Sequence, residues 1–225
     1  MKYVISLGGS VILPEGIDIH YLKRFRRVIL DFIKKHRSNK IIIICGGGKI
    51  SREYQRAARG ITRLSSDDVD WLGIHATRIN AHLLRTIFRE YAHRKVVRNP
   101  HEKIRFNEKI LIASGWKPGW STDYDAVILA RNFGVKTIIN ISNIDYAYDK
   151  DPNKHKNAKI IKKISWKAFR KLIPKKWSPG LSSPFDPVAS RKAEKYSTRV
   201  LIVGKGINNL KNIFNNKKFK GTVIS

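Results

Sequence analysis

The chain has 225 residues, of which 42% are hydrophobic, so it is long enough to bury one substantial α/β core or two lobes in close contact. Its 46 Lys and Arg against 17 Asp and Glu give a formal net charge of +29, which favours anionic partners such as nucleotides, nucleic acid or anionic surfaces. The chain has one cysteine, Cys45, which excludes an intramolecular disulfide framework. No apolar run approaches the roughly 20 residues that cross a bilayer. We therefore expect a cytoplasmic protein with no membrane partner.

The first predicted unit is a hydrophobic strand, residues 3–7, that ends at Gly8-Gly9-Ser10. The glycine amides and the Ser10 hydroxyl could hold a phosphate, although a turn or a β-bulge would use the same residues. Apolar residues then recur at helical spacing over residues 18–37 and predict a helix rich in Lys and Arg.

The second unit is the most informative, because four isoleucines at 41–44 run through Cys45 into Gly46-Gly47-Gly48. Such a run predicts a strand covered on both faces, as in a parallel sheet. Three glycines let the backbone approach a ligand, and the helix predicted over residues 50–60 would point its amides at that gap. Lys49 and Arg52 add positive charge. The pattern favours a phosphate site over a merely tight turn, and it is not the G-x-x-x-x-G-K-[ST] P-loop.

The third unit begins with a helix signal at Ser65 and an apolar pattern that extends through Tyr91. Polar residues within that pattern would by themselves be ordinary helix-surface residues; they are Asp70, Arg78 and Asn80. A strand at 110–113 then leads into a loop with two tryptophans, a lysine, two hydroxyls and a carboxylate, and a helix follows through about Phe133. The loop is suited to gripping a base, a ribose and a phosphate, although Trp116 and Trp120 could equally be packing residues.

The remaining chain alternates strands, polar loops and helices. The predicted strands are 135–141, 200–203 and 222–224, with a brief pairing at 160–161, and the predicted helices are 165–173, 187–196 and 210–214. A short strand at 96–97 and a loop over 177–184 are also expected. Repeated strand–loop–helix units predict a mostly parallel sheet with helices on both faces, where ligands bind outside the carboxyl ends of the strands.

The motifs occur in an order that resembles the amino acid kinase family, and within it the archaeal uridylate (UMP) kinases, over essentially the full chain. The motifs are Gly8-Gly9-Ser10, Gly46-Gly47-Gly48-Lys49 with Arg52, Asp70-Trp71-Leu72-Gly73, Pro118-Gly119-Trp120-Ser121-Thr122-Asp123, Ser142-Asn143-Ile144-Asp145 with Tyr148 and Asp151-Pro152, and Asp186-Pro187.

The resemblance implies a three-layer α/β/α sandwich with a mostly parallel central sheet, formed by residues 1–225 as one domain. Its N-terminal part would bind mainly UMP and its C-terminal part mainly ATP. The implied reaction is phosphoryl transfer from ATP to UMP, giving UDP and ADP, with Mg²⁺ arriving on ATP. The implied assembly is a hexamer.

The resemblance also implies a role for individual residues. Expected ATP contacts are Gly9, Ser10, Gly48, Arg52, Ser142, Asn143, Tyr148 and Asp151. Expected UMP contacts are Gly47, Asp70, Trp116, Lys117, Pro118, Gly119, Trp120, Ser121 and Thr122. The cations expected to assist catalysis are Lys49, Arg52 and Arg191.

The chain departs from the family pattern at three positions. Many members carry a lysine where this chain has Ser6, a lysine where it has Arg191, and a glycine where it has Tyr146. These departures keep two alternatives open: a same-fold kinase for another small phosphate, or a nucleotide- or nucleic-acid-binding protein with weakened catalysis. An isopentenyl phosphate kinase would be expected to carry a histidine near the first glycine turn, and none lies between Met1 and Ile19. Because the charge is dispersed along the chain, a solvated basic surface is favoured over a nucleic-acid site.

Overall fold

The computed structural model describes residues 2–152, 154–176 and 183–225. The strands in chain order are β1 (Lys2–Leu7), β2 (Lys40–Cys45), β3 (Ile110–Ala113), β4 (Thr137–Ser142), β5 (Ala147–Tyr148), β6 (Ile160–Ile161), β7 (Lys163–Ile164), β8 (Arg199–Gly204) and β9 (Thr222–Ile224). The helices are α1 (Gly9–Ile12), α2 (Ile19–Lys35), α3 (Gly48–Ile61), α4 (Ser66–Ile87), α5 (Thr122–Asn132), α6 (Trp166–Leu172), α7 (Pro187–Lys195) and α8 (Ile207–Phe214).

The central sheet has seven strands in the order β3-β2-β1-β4-β8-β9-β7. Strands β1, β2, β3, β4 and β8 are mutually parallel, whereas β9 runs antiparallel to β8 and β7 runs parallel to β9. Strands β5 and β6 form a separate antiparallel ladder. The expectation of a mostly parallel sheet is therefore confirmed.

The isoleucine run of β2 shows why this sheet must be covered on both faces. Successive side chains of a strand point to opposite faces. Ile41, Ile43 and Cys45 accordingly join a core cluster with residues of α2, α4 and α8. Ile42 and Ile44 join a second cluster with residues of α5, α6 and α7. The result is the predicted three-layer α/β/α arrangement, with Cys45 as a buried core residue.

Side-chain caps fix where several helices begin. Ser65 accepts a hydrogen bond from the Asp68 amide, and the Asp68 side chain accepts one from the Ser65 amide in return, which completes a capping box. Asp186 caps α7 by accepting from the Ala189 amide at 2.6 Å, and Pro187 occupies the first helical position. The predicted starts of α4 and α7 are therefore confirmed.

Other elements differ from the sequence prediction. Residues 9–12 form the short helix α1 where a turn or bulge was expected. Helix α4 ends at Ile87 rather than Tyr91, because Ala92 forms a parallel bridge with Ile110. The strand expected at 96–97 is reduced to a bridge between Val97 and Ala113.

The loop expected over 177–184 lies mostly outside the described residues. Within the described ranges, none of the helices combines the length and the apolar character that crossing a membrane requires.

Candidate active site

The carboxyl ends of β1 and β2 bring the two glycine turns into direct backbone contact. A Cβ on Gly9 would overlap the Gly48 amide nitrogen, and a Cβ on Gly48 would overlap the Gly9 carbonyl. A Cβ on Gly46 would lie 2.6 Å from the Gly9 nitrogen, and Gly48 has φ +69°, a conformation that favours glycine. Only glycines fit this junction, because the backbones of the two turns pack directly against each other.

Helix α3 begins at this junction. Gly47 occupies its N-cap position, and no side chain caps its first turn within the described ranges. The first-turn N–H groups of a helix lack partners within the helix, and together with the helix dipole they favour an anion. This is the arrangement that a phosphate-binding turn requires.

The two predicted cations of α3 differ in their surroundings. Lys49 forms an ion pair with Glu15 and lies 3.6 Å from a carboxylate oxygen of Glu53, so its charge is partly neutralised. The hydrogen bond that Lys49 donates to Glu15 raises the pKa of Lys49. Arg52 lies exposed one turn into the helix, and none of the ion pairs in the described ranges includes it. Arg52 is therefore the cation more available to a bound anion.

Asn80 supports the triple-glycine turn, a role that the sequence did not reveal. It is 1% exposed, and its side-chain amide donates to the carbonyls of Gly46 at 2.8 Å and Gly47 at 3.2 Å. The interpretation of Asn80 as a helix-surface residue was wrong, because its side chain points into the protein and holds the triple glycine. A polar residue at an apolar position of the α4 pattern was the only available signal.

Helix α4 also holds the loop that leads from β3 to α5. The Asp70 carboxylate accepts a hydrogen bond from the Gly119 amide at 2.8 Å. The Thr77 hydroxyl accepts one from the Gly115 amide, also at 2.8 Å. Burial raises the pKa of Asp70, although the Gly119 contact acts in the opposite direction. Asp70 and the predicted UMP loop therefore lie together, as expected for a shared acceptor site.

Aromatic rings cluster along the same loop. The ring centroids of Trp116 and Trp120 are 5.9 Å apart, and those of Trp120 and Tyr124 are 4.1 Å apart. The ring centroids of His101 and Trp116 are 4.9 Å apart, and the Lys117 ammonium lies 4.2 Å from the centre of the Trp116 ring. Both tryptophans are partly exposed and also pack against the core, so they are part of the structure and part of the loop surface at once.

The starts of α5 and α7 place three carboxyl groups close together: Asp125 and Asp186 are buried, and Asp123 is a partly exposed residue. Asp123 accepts a hydrogen bond from the Ser6 hydroxyl at 3.2 Å and another from the Asp186 amide at 3.1 Å. Asp125 accepts from the Trp116 amide at 3.1 Å. Ser6, the position where many family members have lysine, therefore donates to the carboxyl group of Asp123.

Burial raises the pKa of Asp123 to about 7, and the nearby Asp186 carboxylate adds to the effect. Burial is also the main cause that raises the pKa values of Asp125 and Asp186. One oxygen of Asp125 and one of Asp186 lack a hydrogen-bond partner within the described ranges. The raised pKa values favour the protonated forms of these carboxyl groups. Within the described ranges, His, Cys, Asp and Glu form no group of three suited to holding a metal ion.

The segment expected to hold the adenine nucleotide follows β4. Ser142 ends that strand opposite Gly204, and Tyr148 pairs with Ile160 in the small ladder. Ser197 and Asn216 are the non-glycine residues with positive φ in the described ranges, so Tyr146 replaces the family glycine without a strained backbone. The roles of Ser142, Asn143, Tyr148 and Asp151 stay predictions.

Arg191 lies on the opposite side of the site, in α7. Its guanidinium donates to the Lys175 carbonyl at 3.1 Å. It also lies close enough to the Asp186 carboxylate to lower the pKa of that group. Three features thus meet at the carboxyl-terminal ends of the parallel strands: the glycine turns, Asp70 with its loop, and the clustered carboxyl groups. Arg191 lies at the border of this site.

Comparison with known proteins gives consistent results. The sequence model of the amino acid kinase family matches residues 1–204. The chain is 32% identical over 230 residues to the uridylate kinase of Thermococcus sibiricus, covering 100% of this chain and 99% of that protein. It is 33% identical over 231 residues to the uridylate kinase of Methanobrevibacter smithii, with 100% of both chains covered.

Solved structures agree with this similarity. The uridylate kinase of Archaeoglobus fulgidus superposes with a TM-score of 0.83 at 27% identity, covering 100% of both chains. The UMP kinase of Bacillus anthracis superposes with a TM-score of 0.77 at 20% identity, covering 100% of this chain and 95% of that one, which supports the fold alone. With a matching family model over most of its length and full-length relatives above 30% identity, the chain belongs to the amino acid kinase family.

Proposed function

We propose that this protein is a UMP kinase, which transfers the γ-phosphoryl group of ATP to UMP and releases UDP and ADP. The observation that carries the proposal is the contact between the two glycine turns at the start of α3, with Asp70 and its loop beside it. Full-length relatives named as uridylate kinases support the acceptor. The reaction supplies UDP for pyrimidine nucleotide synthesis, and we expect it to take place in the cytoplasm.

The geometry suits phosphoryl transfer, which needs little covalent help from the protein. Two anions must be aligned and their charge stabilised. The bare backbone at Gly9, Gly47 and Gly48 supplies fixed N–H groups, and Arg52 supplies a cation whose planar fork suits phosphate. We assign to Asp70 the role of accepting a hydrogen bond from a ribose hydroxyl. Mg²⁺ enters as part of the MgATP substrate and screens the charge of its phosphates.

The direct test is ADP release measured with a panel of UMP, dUMP, CMP and isopentenyl phosphate as acceptors. We expect the highest kcat/KM with UMP. Turnover of isopentenyl phosphate in preference to UMP would favour a sister kinase. Nucleotide binding without turnover of any acceptor would favour a binding protein that has lost catalysis, consistent with the missing lysine at Ser6.

Arg52 tests the phosphate site within the same assay. A preorganised charged contact of this kind typically contributes about 10²–10³ to kcat. We therefore expect Arg52→Ala to lose at least about tenfold in kcat/KM. Arg56→Ala, an exposed arginine one turn further along α3, is the matched control and should retain wild-type kinetics. Wild-type kinetics in the Arg52 variant would show that the ATP-phosphate assignment is wrong.

The assembly is proposed to be a homo-hexamer. In support, α3 buries none of its residues within the chain and exposes Tyr54 and Ile61, while the adjoining α4 exposes Trp71 and Ile79. Exposed apolar side chains on neighbouring helices are typical of an interface. Light scattering should give about six times the chain mass of 25.9 kDa, and Ile61→Lys should lower it. A monomeric wild-type protein would contradict the proposal.

A further inference from the structure

A cavity of about 310 Å³ lies at the amino-terminal ends of the parallel strands, at the end of the sheet opposite the glycine turns. It is formed by the first residues of β1 and β2, the chain between α5 and β4, and the segment that precedes β3. Its lining includes three cations, Lys2, Lys40 and Arg105, and two aromatic rings, Phe106 and Phe133. Its volume is in the range of small-molecule sites.

The charge around this cavity has one sign. Three cations line it, Lys2, Lys40 and Arg105, and no carboxylate is among the described lining residues. Lys2 and Lys40 are direct neighbours in the parallel ladder. Neighbouring strands are about 4.8 Å apart, and like charges at directly opposed positions are destabilising. The fold therefore maintains an unfavourable pair of cations at this edge.

Residues around the cavity do not remove that charge. Burial lowers the pKa of Lys40, and the charges of Lys2 and Lys109 lower it further. Glu108 is the one carboxylate that acts on Lys40 in the opposite direction, and its effect is the weakest of these. Its carboxylate lies 3.1 Å from His93 Nδ1, so it is already engaged. A net positive field remains inside the cavity.

The end of a neighbouring helix does not account for these cations. Helix α5 ends near the cavity, and cations stabilise the C-terminal ends of helices. The cation in its last turn is Arg131, whose guanidinium donates to the Tyr196 hydroxyl at 3.0 Å. Lys2 and Lys40, in contrast, begin strands.

Flat apolar walls lie directly beside the cations. The Phe106 and Phe133 rings meet edge to face with centroids 5.3 Å apart, and both pack against the second core cluster. The Lys40 ammonium lies 4.5 Å from the centre of the Phe106 ring and donates to the Phe106 carbonyl at 2.9 Å. A lysine has three donors, so further donors remain for a ligand. The walls are held by the core and are preformed.

We propose that this cavity binds a small aromatic anion, with its phosphate or carboxylate group on Lys2 and Lys40 and its ring against Phe106 and Phe133. The site is separate from the proposed ATP and UMP site, which lies at the carboxyl-terminal ends of the same strands. Its ligand offsets the repulsion between the paired lysines.

The test uses 1-naphthyl phosphate as the probe, followed by isothermal titration calorimetry on the full chain. Saturating UMP and a non-hydrolysable ATP analogue are present throughout, so that the nucleotide site is filled. We expect one probe per chain, bound at least tenfold more tightly than 1-naphthol or inorganic phosphate alone. Absence of binding, or equal binding of 1-naphthol, would overturn the proposal, and so would binding that disappears when the nucleotides are added.

The affinity of the probe for three variants tests whether it binds in the cavity. Lys40→Met should weaken binding at least tenfold, because it removes a charge-assisted hydrogen bond. Lys2→Met should also weaken binding of the probe. Because Lys2 is exposed, this variant tests the site even if the Lys40 variant fails to fold. Lys34→Met is the matched control, because Lys34 also lies over an aromatic ring, that of Tyr91 at 5.6 Å, outside the cavity. Wild-type affinity in the Lys2 variant, or equal losses in the Lys2 and Lys34 variants, would refute the assignment.

Discussion

Asp70 links the proposed acceptor site to the loop that covers it. We expect Asp70→Asn to raise the KM for UMP at least about tenfold and to leave the KM for ATP nearly unchanged. The variant keeps an oxygen for the Gly119 amide but loses the charge, and a charge-assisted hydrogen bond is worth about 1.5–3 kcal/mol. Steady-state kinetics with each substrate varied would check it. Asp67→Asn, exposed in the first turn of the same helix, is the control. An unchanged KM and kcat for UMP in the Asp70 variant would refute the ribose contact.

Asp123 makes stability depend on pH. Its pKa is raised to about 7 in the folded protein from an ordinary value of 3.8, so between these values the folded chain binds more protons than the unfolded one. The contribution of Asp123 to stability is therefore present at low pH and is lost as the pH rises through about 7, by up to about 4 kcal/mol. We expect the urea midpoint to fall between pH 5 and pH 8.

The Asp123→Asn variant isolates this effect. It has no proton to lose and should show a clearly smaller fall of the urea midpoint over the same pH range. Part of the dependence should remain, because burial also raises the pKa values of Asp125 and Asp186. Asp67→Asn should behave like the wild type. An equally steep fall in the Asp123 variant would contradict the assignment.

Some contacts of single residues could not be predicted from the sequence. The motif around Asp123 was visible, but its meeting with Ser6 and Asp186 joins positions 117 and 63 residues apart. No local spacing encodes such contacts, because they arise only when β1, α5 and α7 pack at one edge. The role of Asn80 was missed for the same reason, because its hydrogen-bond partners lie in the triple-glycine turn, 33 and 34 residues earlier in the chain.

Helix α3 depends on how its first residue meets the other glycine turn. We expect Gly48→Ala to destabilise the protein by at least about 1–2 kcal/mol, because alanine disfavours φ +69° and its Cβ would overlap the Gly9 carbonyl. Activity should fall with it, since the backbone at this junction is the proposed phosphate platform. Denaturant unfolding and ADP release would measure the two effects.

Gly60 provides the matched control in the same helix. A Cβ at Gly60 would meet nothing within 4 Å. Replacing an interior helical glycine by alanine stabilises by roughly 0.5–1 kcal/mol, so Gly60→Ala should be as stable as the wild type or more so. Equal stability of the Gly48 and Gly60 variants would show that the junction is not closely packed.

Elements were predictable where one periodicity was strong. The isoleucine strand, the capped start of α4 and the strand at 222–224 all follow from local pattern. Helix ends were less accurate, because the end of α4 is set by the bridge of Ala92 to Ile110, a tertiary contact. The short strands β5 and β7 have two residues each, too few to leave a period in the sequence.

The whole molecule carries its charge on several faces. Exposed cations occur on α2 at Lys23, Arg24 and Arg27 and on α6 at Lys167 and Lys171. Helices α2 and α6 contribute to the core clusters on opposite faces of the sheet. A nucleic-acid site would instead gather cations on one face. The arrangement therefore favours a solvated basic surface.

This distribution leads to a prediction about RNA. The net charge of +29 should retain RNA in a gel at about 50 mM salt, and the retention should be lost at about 150 mM. Binding through phosphate contacts releases counterions, so its affinity falls steeply as salt rises, by about 10²–10³ over this range for 6–10 contacts to a single strand. A scattered surface offers few such contacts to one RNA strand at a time. Electrophoretic mobility at both salt concentrations, with and without UMP and ATP, measures this. Retention at about 150 mM salt that the nucleotides fail to compete away would show a dedicated RNA site, and the charge would then have a partner beyond the two substrates.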